Sequence, residues 1–116
     1  MFGVAIVGGG PAGSSCAAFC ANAGLRTLLL ERETFPREKV CGDCLNPACW
    51  PILQRLQLAE RARILPHGLL DRVEFVGLDG RVLTVALTAG LETIKRLLFD
   101  QLIMTRSREP GAILPA

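Results

Sequence analysis

The 116-residue sequence predicts an α/β fold built on a Rossmann-like βαβ unit at residues 1–31. Three observations support this fold class. An apolar segment opens the chain, a glycine cluster interrupts it, and an acidic residue closes it. Gly8, Gly10 and Gly13 match the pattern GxGxxG, and Glu31 lies eighteen residues after Gly13. This spacing is typical of a dinucleotide-binding unit, in which an acid about 20 residues beyond the glycines contacts a ribose.

The elements of this unit can be read in order along the chain. The apolar run at residues 4–7 is typical of a strand buried on both faces. A helix over residues 11–23 follows it, and Gly24 ends that helix. Residues 26–31 then form a second buried strand, and the polar stretch over residues 32–47 is predicted to be a loop.

Each motif glycine has a predicted physical role. Gly8 turns the chain out of the strand, Gly10 leaves space for a pyrophosphate, and Gly13 lets the helix lie close to the sheet. The phosphates would lie on the first helical turn, which contains Pro11 and Ala12, because its free N–H groups and the helix dipole favour anions. A packing turn without a ligand is the alternative, and the complete βαβ context favours the dinucleotide site.

Residues 48–90 are predicted to hold a helical region and an antiparallel hairpin. Helical periodicity over residues 48–63 indicates one short helix or two. Residues 71–76 alternate polar and apolar positions, and Asp79-Gly80 predicts a turn into a partner strand over residues 81–87.

The end of the chain predicts a further helix. An amphipathic pattern covers residues 93–106, and residues 112–114 are apolar enough to begin a third parallel strand. Because a doubly wound parallel sheet needs more strands than these, we expect an incomplete domain.

Composition narrows the class of protein. Half of the residues are hydrophobic and the mean hydropathy is +0.36, so we expect some apolar surface to meet another surface. The net charge of +2, with scattered basic residues, argues against a nucleic-acid partner. Five cysteines, an odd number, suit a reducing, cytoplasmic compartment. Cys16 and Cys20 lie one helical turn apart and are predicted to be small core residues.

Two later segments carry a resemblance to a known family. The stretch FPREKVCGDCLNP at residues 35–47 resembles the FPRxKxCG(D/E)xLxP segment of the geranylgeranyl reductase family. These proteins are FAD-dependent oxidoreductases of the p-hydroxybenzoate hydroxylase type. KRLLFDQL at residues 95–102 is similar to the RRxxFDxxL helix of the same family, and with the glycine motif the resemblance spans residues 3–104.

The resemblance implies how the cofactor lies on the chain. The motif glycines would hold the FAD pyrophosphate, and Glu31 with Arg32 would contact its adenosine end.

The same resemblance assigns residues to the flavin side. It implies that Lys39, Cys41 and Gly42 lie near the isoalloxazine ring, and that Lys95 or Arg96 faces the cofactor. Lys95 stands where the family usually has arginine, which weakens bidentate phosphate contact there.

Cys44 replaces the glycine that the family more often has, and with Cys41 it creates a CxxC spacing. Zinc normally needs four ligands, and Cys49 and the lone His67 are poor substitutes for a second pair, so no metal site is predicted. A redox dithiol is chemically possible if Cys41 has a lowered pKa beside Lys39. Involvement of Cys41 alone, near the substrate, is favoured over both, and it is the candidate catalytic residue.

The function implied by the resemblance is that of an FAD-dependent oxidoreductase with NAD(P)H as electron donor. An apolar substrate, with isoprenoids as the candidate class, would suit peripheral association with a membrane. The alternatives are a flavin-dependent monooxygenase or halogenase, or a non-catalytic nucleotide-binding remnant. Halogenases usually show GES where residues 41–43 are CGD. The oligomeric state is left open, and the isolated chain is expected to bind FAD weakly and to lack NAD(P)H oxidation.

Overall fold

A computed structural model of the protein describes residues 1–109 and shows the expected α/β architecture. Its elements, in chain order, are β1 (Val4–Val7), α1 (Pro11–Asn22), β2 (Thr27–Leu30), β3 (Cys44–Leu45), α2 (Cys49–Arg55), α3 (Ala59–Ile64), β4 (His67–Val76), β5 (Val82–Ile94) and α4 (Arg96–Arg108).

The strands form two separate sheets. β1 and β2 pair in parallel, with α1 as the crossover between them, and their register runs from Val4 opposite Thr27 to Val7 opposite Leu30. β3, β5 and β4 form an antiparallel sheet with β5 in the middle. This arrangement confirms the predicted βαβ unit and the predicted hairpin.

The helices supply most of the core, and β3 and β5 add one buried residue each. α4 lies against α1, and α2 and α3 close over the apolar side of α4. Their apolar side chains need this contact because none of the helices is long enough to be stable alone. The buried cluster consists of Ala18, Leu45, Leu53, Leu56, Leu58, Ala59, Ala62, Ile94, Phe99 and Ile103.

The prediction that β1 is buried on both faces is wrong. Its burial alternates, and the Val7 side chain is 85% exposed. α1 covers one face of the β1–β2 pair. Within residues 1–109 no element covers the other face, so the apolar run is only half buried.

The helical region is two helices. The chain breaks between α2 and α3 at Gln57, whose φ of +59° no continuous helix allows. The predicted loop over residues 32–47 also contains β3, two residues that pair with β5.

Both strands of the hairpin are longer than predicted, since β4 begins at His67 instead of residue 71, and the last helix begins later. β5 extends to Ile94, and α4 begins at Arg96 instead of residue 93. Thr93 pairs with Cys44, and Ile94 pairs with His67. These ladder positions hold both residues in extended conformation and override their helical spacing.

The prediction that Cys16 and Cys20 lie in the core is wrong as well. Cys16 is exposed, and Cys20 is only half-buried, because the buried face of α1 carries Ser14, Ala17 and Ala18 instead. The predicted third strand at residues 112–114 lies outside the described residues. No helix among residues 1–109 is both long and apolar enough to cross a membrane.

Candidate functional site

The glycine turn joins β1 to α1 under two steric requirements. Gly8 has a φ of +99°, which side-chain-bearing residues rarely adopt, and its N–H donates to the Leu30 carbonyl at 2.7 Å. A methyl group at Gly13 would overlap the Gly8 carbonyl oxygen. The turn therefore requires glycine at both positions, as the sequence predicts.

A further glycine, Gly9, packs closely against two side chains. A Cβ there would overlap the Met104 side chain and crowd the Glu31 carboxylate. The Ser14 hydroxyl donates to the Gly9 carbonyl at 2.8 Å, which ties the turn to α1. Gly9 falls at a variable position of GxGxxG, so the motif gave no signal for it.

Gly10, in contrast, faces open space at the start of α1. A Cβ there would meet only Nη2 of Arg37 at 3.7 Å and Nη2 of Arg96 at 3.9 Å. No side chain caps the helix at Gly10, and the N–H groups of a first helical turn have no intrahelical partners. Free backbone donors and two guanidinium groups thus converge on one point.

Glu31 connects the glycine turn to the end of β2. Its Oε2 accepts the Gly9 N–H at 2.6 Å, and its Oε1 accepts the Glu33 N–H at 3.0 Å. The bonds from Glu33 and Gly9 lower the pKa of Glu31, so the carboxylate is ionised at neutral pH. Ionised oxygens are acceptors suited to hydroxyl groups.

Asp100, fully buried on α4, holds the two guanidinium groups. Arg96 donates to it through Nε at 2.6 Å and Nη2 at 2.9 Å. Nη1 of Arg37 lies 3.1 Å from the same carboxylate. The four-residue spacing on α4 brings Arg96 to Asp100, whereas Arg37 arrives from the loop before β3. Two cations and one anion leave the cluster with a net positive charge.

Cys41 lies in the same loop. Its thiol is exposed, and the backbone N–H of Asp43 and the guanidinium of Arg96 lower its pKa below that of an ordinary thiol. Asp43 also accepts the Arg96 backbone N–H at 3.1 Å through its side chain, and the Ile94 N–H at 2.9 Å through its carbonyl. The loop is therefore fastened to the start of α4.

A cleft of about 460 Å³ lies beside the glycine turn and collects several of the predicted residues. Lys95 is not among them. It is exposed and lines a separate cleft with Asp43 and His67. Of Lys95 and Arg96, Arg96 is thus the one that approaches the turn. The residues around the first cleft are Gly8, Gly10, Glu31, Arg32, Glu33, Arg37, Glu38 and Lys39.

Comparison with known proteins decides which dinucleotide this arrangement belongs to. Residues 1–94 match the family model of the FAD binding domain. The chain belongs to this family. This confirms FAD as the cofactor class and places the chain in the FAD-dependent oxidoreductase superfamily.

Relatives of several activities share this domain. A menaquinone reductase of Mycolicibacterium smegmatis is 47% identical over 68 residues, which is 57% of this chain and 17% of that protein. A 1H-pyrrole-2-carbonyl-[peptidyl-carrier protein] brominase of Pseudoalteromonas luteoviolacea is 31% identical over 111 residues, or 95% of this chain and 27% of that protein. The solved myxobacterial chondrochloren halogenase superposes with a TM-score of 0.82 at 31% identity, covering 96% of this chain and 27% of that one. The chain spans less than a third of the length of these relatives.

The residues present fit the diphosphate of FAD. Nη1 of Arg37 is buried, and within residues 1–109 it has no acceptor in hydrogen-bonding geometry. Unsatisfied buried donors are costly, and a phosphate oxygen is a suitable acceptor for a guanidinium. The uncapped start of α1, the open space at Gly10 and the two Nη2 atoms of Arg37 and Arg96 beside it also fit an anion at the turn.

Sequence reasoning missed three charged or polar members of the site: Arg37, Asp43 and Asp100. Each lies inside a motif that was recognised, in FPR, CGD and FD respectively. The four-residue spacing of Arg96 and Asp100 was a usable signal for that pair. No local signal connected either residue with Arg37.

Proposed function

We propose that this chain is the cofactor-binding part of a geranylgeranyl reductase-like FAD-dependent oxidoreductase, which acts on an apolar substrate with NAD(P)H as electron donor. The observation that carries FAD binding is the convergence of the Gly10 turn with the guanidinium groups of Arg37 and Arg96. FAD supplies the two-electron redox chemistry when bound, and the chain supplies binding, orientation and charge.

At the phosphate end, the chain offers backbone and side-chain donors. The first-turn N–H groups of α1, including those of Ala12 and Gly13, would bind the diphosphate together with Arg37 and Arg96. Glu31 would accept the adenosine ribose hydroxyls. Its charge would disfavour a ribose that carries a 2′-phosphate, because like charges would meet there.

At the flavin end, the chain offers a thiol. Cys41 and Gly42 follow Lys39 in the loop before β3, whereas Lys39 itself lines the cleft with Glu31, at the end that we assign to adenosine. A thiol with a lowered pKa holds a larger thiolate fraction at neutral pH, so Cys41 can hold or release a proton near the substrate. This is the role we assign to Cys41.

One relative supports an apolar, isoprenoid-class substrate. It is a menaquinone reductase, and it is 47% identical over the segment that it shares with this chain. Such a substrate would reside in a membrane, so peripheral membrane association remains part of the proposal.

A second candidate function is that of a flavin-dependent halogenase. It is favoured by the TM-score of 0.82 with the chondrochloren halogenase over 96% of this chain. The CGD sequence of residues 41–43 argues for the reductase, because halogenases usually show GES there. In this structure, Asp43 of CGD fastens the loop to α4.

FAD binding by the glycine turn can be tested by titrating the chain with FAD and following flavin fluorescence. Gly10→Val should place a side chain between the two guanidinium groups and weaken binding by well over about tenfold. Gly3→Val is the matched control, since a Cβ at Gly3 meets only the Arg26 carbonyl, at an ordinary 3.8 Å. Equal affinity of Gly10→Val and the parent chain would overturn the assignment.

The two candidate functions can be distinguished by the substrates that each reaction consumes. A reductase should oxidise NADH or NADPH anaerobically with menaquinone present, in proportion to the quinone reduced. A halogenase should need oxygen and halide and leave the quinone unchanged. Because the chain spans under a third of its relatives, this assay belongs on a protein that extends it to their length. Consumption of halide without quinone reduction would favour the second candidate.

A further inference from the structure

We propose that Asp100 is a positioning residue that aims the guanidinium groups of Arg37 and Arg96 at the cofactor diphosphate. The inference rests on the proposed FAD site and deepens it. Asp100 is fully buried and does not line the cleft beside the glycine turn, so it would act through the two arginines.

The contact with Asp100 fixes the plane of the Arg96 guanidinium group. Two parallel hydrogen bonds, through Nε at 2.6 Å and Nη2 at 2.9 Å, leave the guanidinium one orientation. In that orientation Nη2 lies 3.9 Å from the position of a Cβ at Gly10. Since Nη2 carries two hydrogens and Asp100 takes one, the second is available to an anion at the turn.

The contact with Arg37 is of a different kind. Its Nη1 lies 3.1 Å from Asp100 but outside hydrogen-bonding geometry, so the carboxylate attracts this cation without using its donor. The Phe35 ring lies 4.8 Å from the Arg37 guanidinium carbon and supports the group from one side. Nη2 then lies 3.7 Å from the Gly10 position.

Charge explains why the arrangement depends on Asp100. Two guanidinium groups brought to one point repel each other, and the shared carboxylate between them offsets that repulsion. Without it, two half-buried cations lose their shared partner, and they can relieve the repulsion by separating. An asparagine keeps the shape of Asp100 but not the charge.

The competing role for Asp100 is simple neutralisation. A carboxylate beside a phosphate site weakens anion binding by its charge, so its removal would then strengthen binding. Positioning and neutralisation therefore predict changes of opposite sign.

The first test titrates the full 116-residue chain with ADP and, separately, with adenosine. Asp100→Asn should weaken ADP binding by about tenfold or more and leave adenosine binding unchanged, because only ADP carries the diphosphate. Asp71→Asn, the same change at an exposed position of β4, should match the parent chain. Unchanged or tighter ADP binding by Asp100→Asn would overturn the proposal.

A second readout needs no cofactor and separates this proposal from the proposed function. If Arg96 moves away in Asp100→Asn, the pKa of Cys41 should rise toward that of a free thiol, measured by site-resolved alkylation against pH. Cys44, also exposed, is the internal control. A chain that binds no ADP would contradict the FAD site alone. An unchanged or lowered pKa of Cys41 in Asp100→Asn would contradict the positioning of Arg96.

A charge-retaining variant keeps the test decisive if Asp100→Asn fails to fold. Asp100→Glu preserves the net charge of the cluster and lengthens the side chain by one methylene. Positioning predicts an ADP affinity below that of the parent chain, because both guanidinium groups are displaced from the turn. An affinity equal to that of the parent would show that charge alone suffices, and the proposal would fail.

Discussion

Replacing Gly13 by alanine tests how closely α1 approaches the glycine turn. In a helix interior, alanine is ordinarily more favourable than glycine by about 1 kcal/mol. Here the added methyl would overlap the Gly8 carbonyl oxygen, a backbone atom that cannot rotate away. We take the cost of such overpacking as about 3 kcal/mol. The net destabilisation is then about 2 kcal/mol, or about 8 °C in Tm for a domain of this size.

The assay is thermal unfolding followed by circular dichroism, with Gly10→Ala as the matched control. A methyl at Gly10 meets nothing closer than 3.7 Å, and the φ of −67° suits alanine. The control should cost under about 1 kcal/mol of stability, because alanine caps a helix less well than glycine. A Gly13→Ala chain as stable as the parent would refute the close approach of α1 to the turn.

Three further predictions concern single side chains. Glu31→Gln should make the free energy of unfolding less dependent on pH in the acid range. Because the pKa of Glu31 is lowered in the folded chain, its carboxylate adds stability above its unfolded pKa, and this stability is lost as the pH falls through the folded pKa. If acid unfolding is unchanged, Glu31 does not bond to the turn. Cys41 should be alkylated faster than Cys44 at pH 7, read by peptide mass spectrometry, and equal rates would contradict its thiolate character. Leu56→Ala should cost about 3 kcal/mol of unfolding free energy, because Leu56 is fully buried, whereas Ile52→Ala, at a 41% exposed position, should cost far less. Equal losses would contradict the described core.

The sequence predicted the βαβ unit well because its determinants are local. The left-handed turn at Gly8 and the contact between Gly13 and the Gly8 carbonyl involve residues only a few positions apart. The strand that ends at Leu30 follows the helix directly and pairs with the first strand in register. The spacing of residues along the chain was therefore enough to predict this part of the fold.

Non-local pairing decided the elements that were predicted wrongly. Ile94 continues the apolar spacing of α4 and Thr93 precedes it, yet the strand partners of Thr93 and Ile94 are Cys44 and His67, far away in the chain. The sequence near residue 94 does not indicate those partners. The prediction that β1 is buried on both faces failed for a similar reason. Whether a strand is covered depends on elements that its own sequence does not contain.

The candidate site shows the same division. The motifs pointed to Gly10 and to either Lys95 or Arg96, and the structure brings Arg96 near the turn and Lys95 to a separate cleft. The meeting of Arg37 with Asp100 depends on how the loop before β3 folds back onto α4. A buried ion pair of this kind becomes visible only in three dimensions.

Binding of the FAD diphosphate by the start of α1, with Arg37 and Arg96, can be tested most directly by NMR. A titration of the ¹⁵N-labelled chain with ADP detects weak binding residue by residue. We expect shifts at the backbone amides of Gly10, Ala12 and Gly13 and at the Nε groups of Arg37 and Arg96, all absent when adenosine replaces ADP. Shifts confined to other parts of the chain, or equal shifts with adenosine, would contradict it.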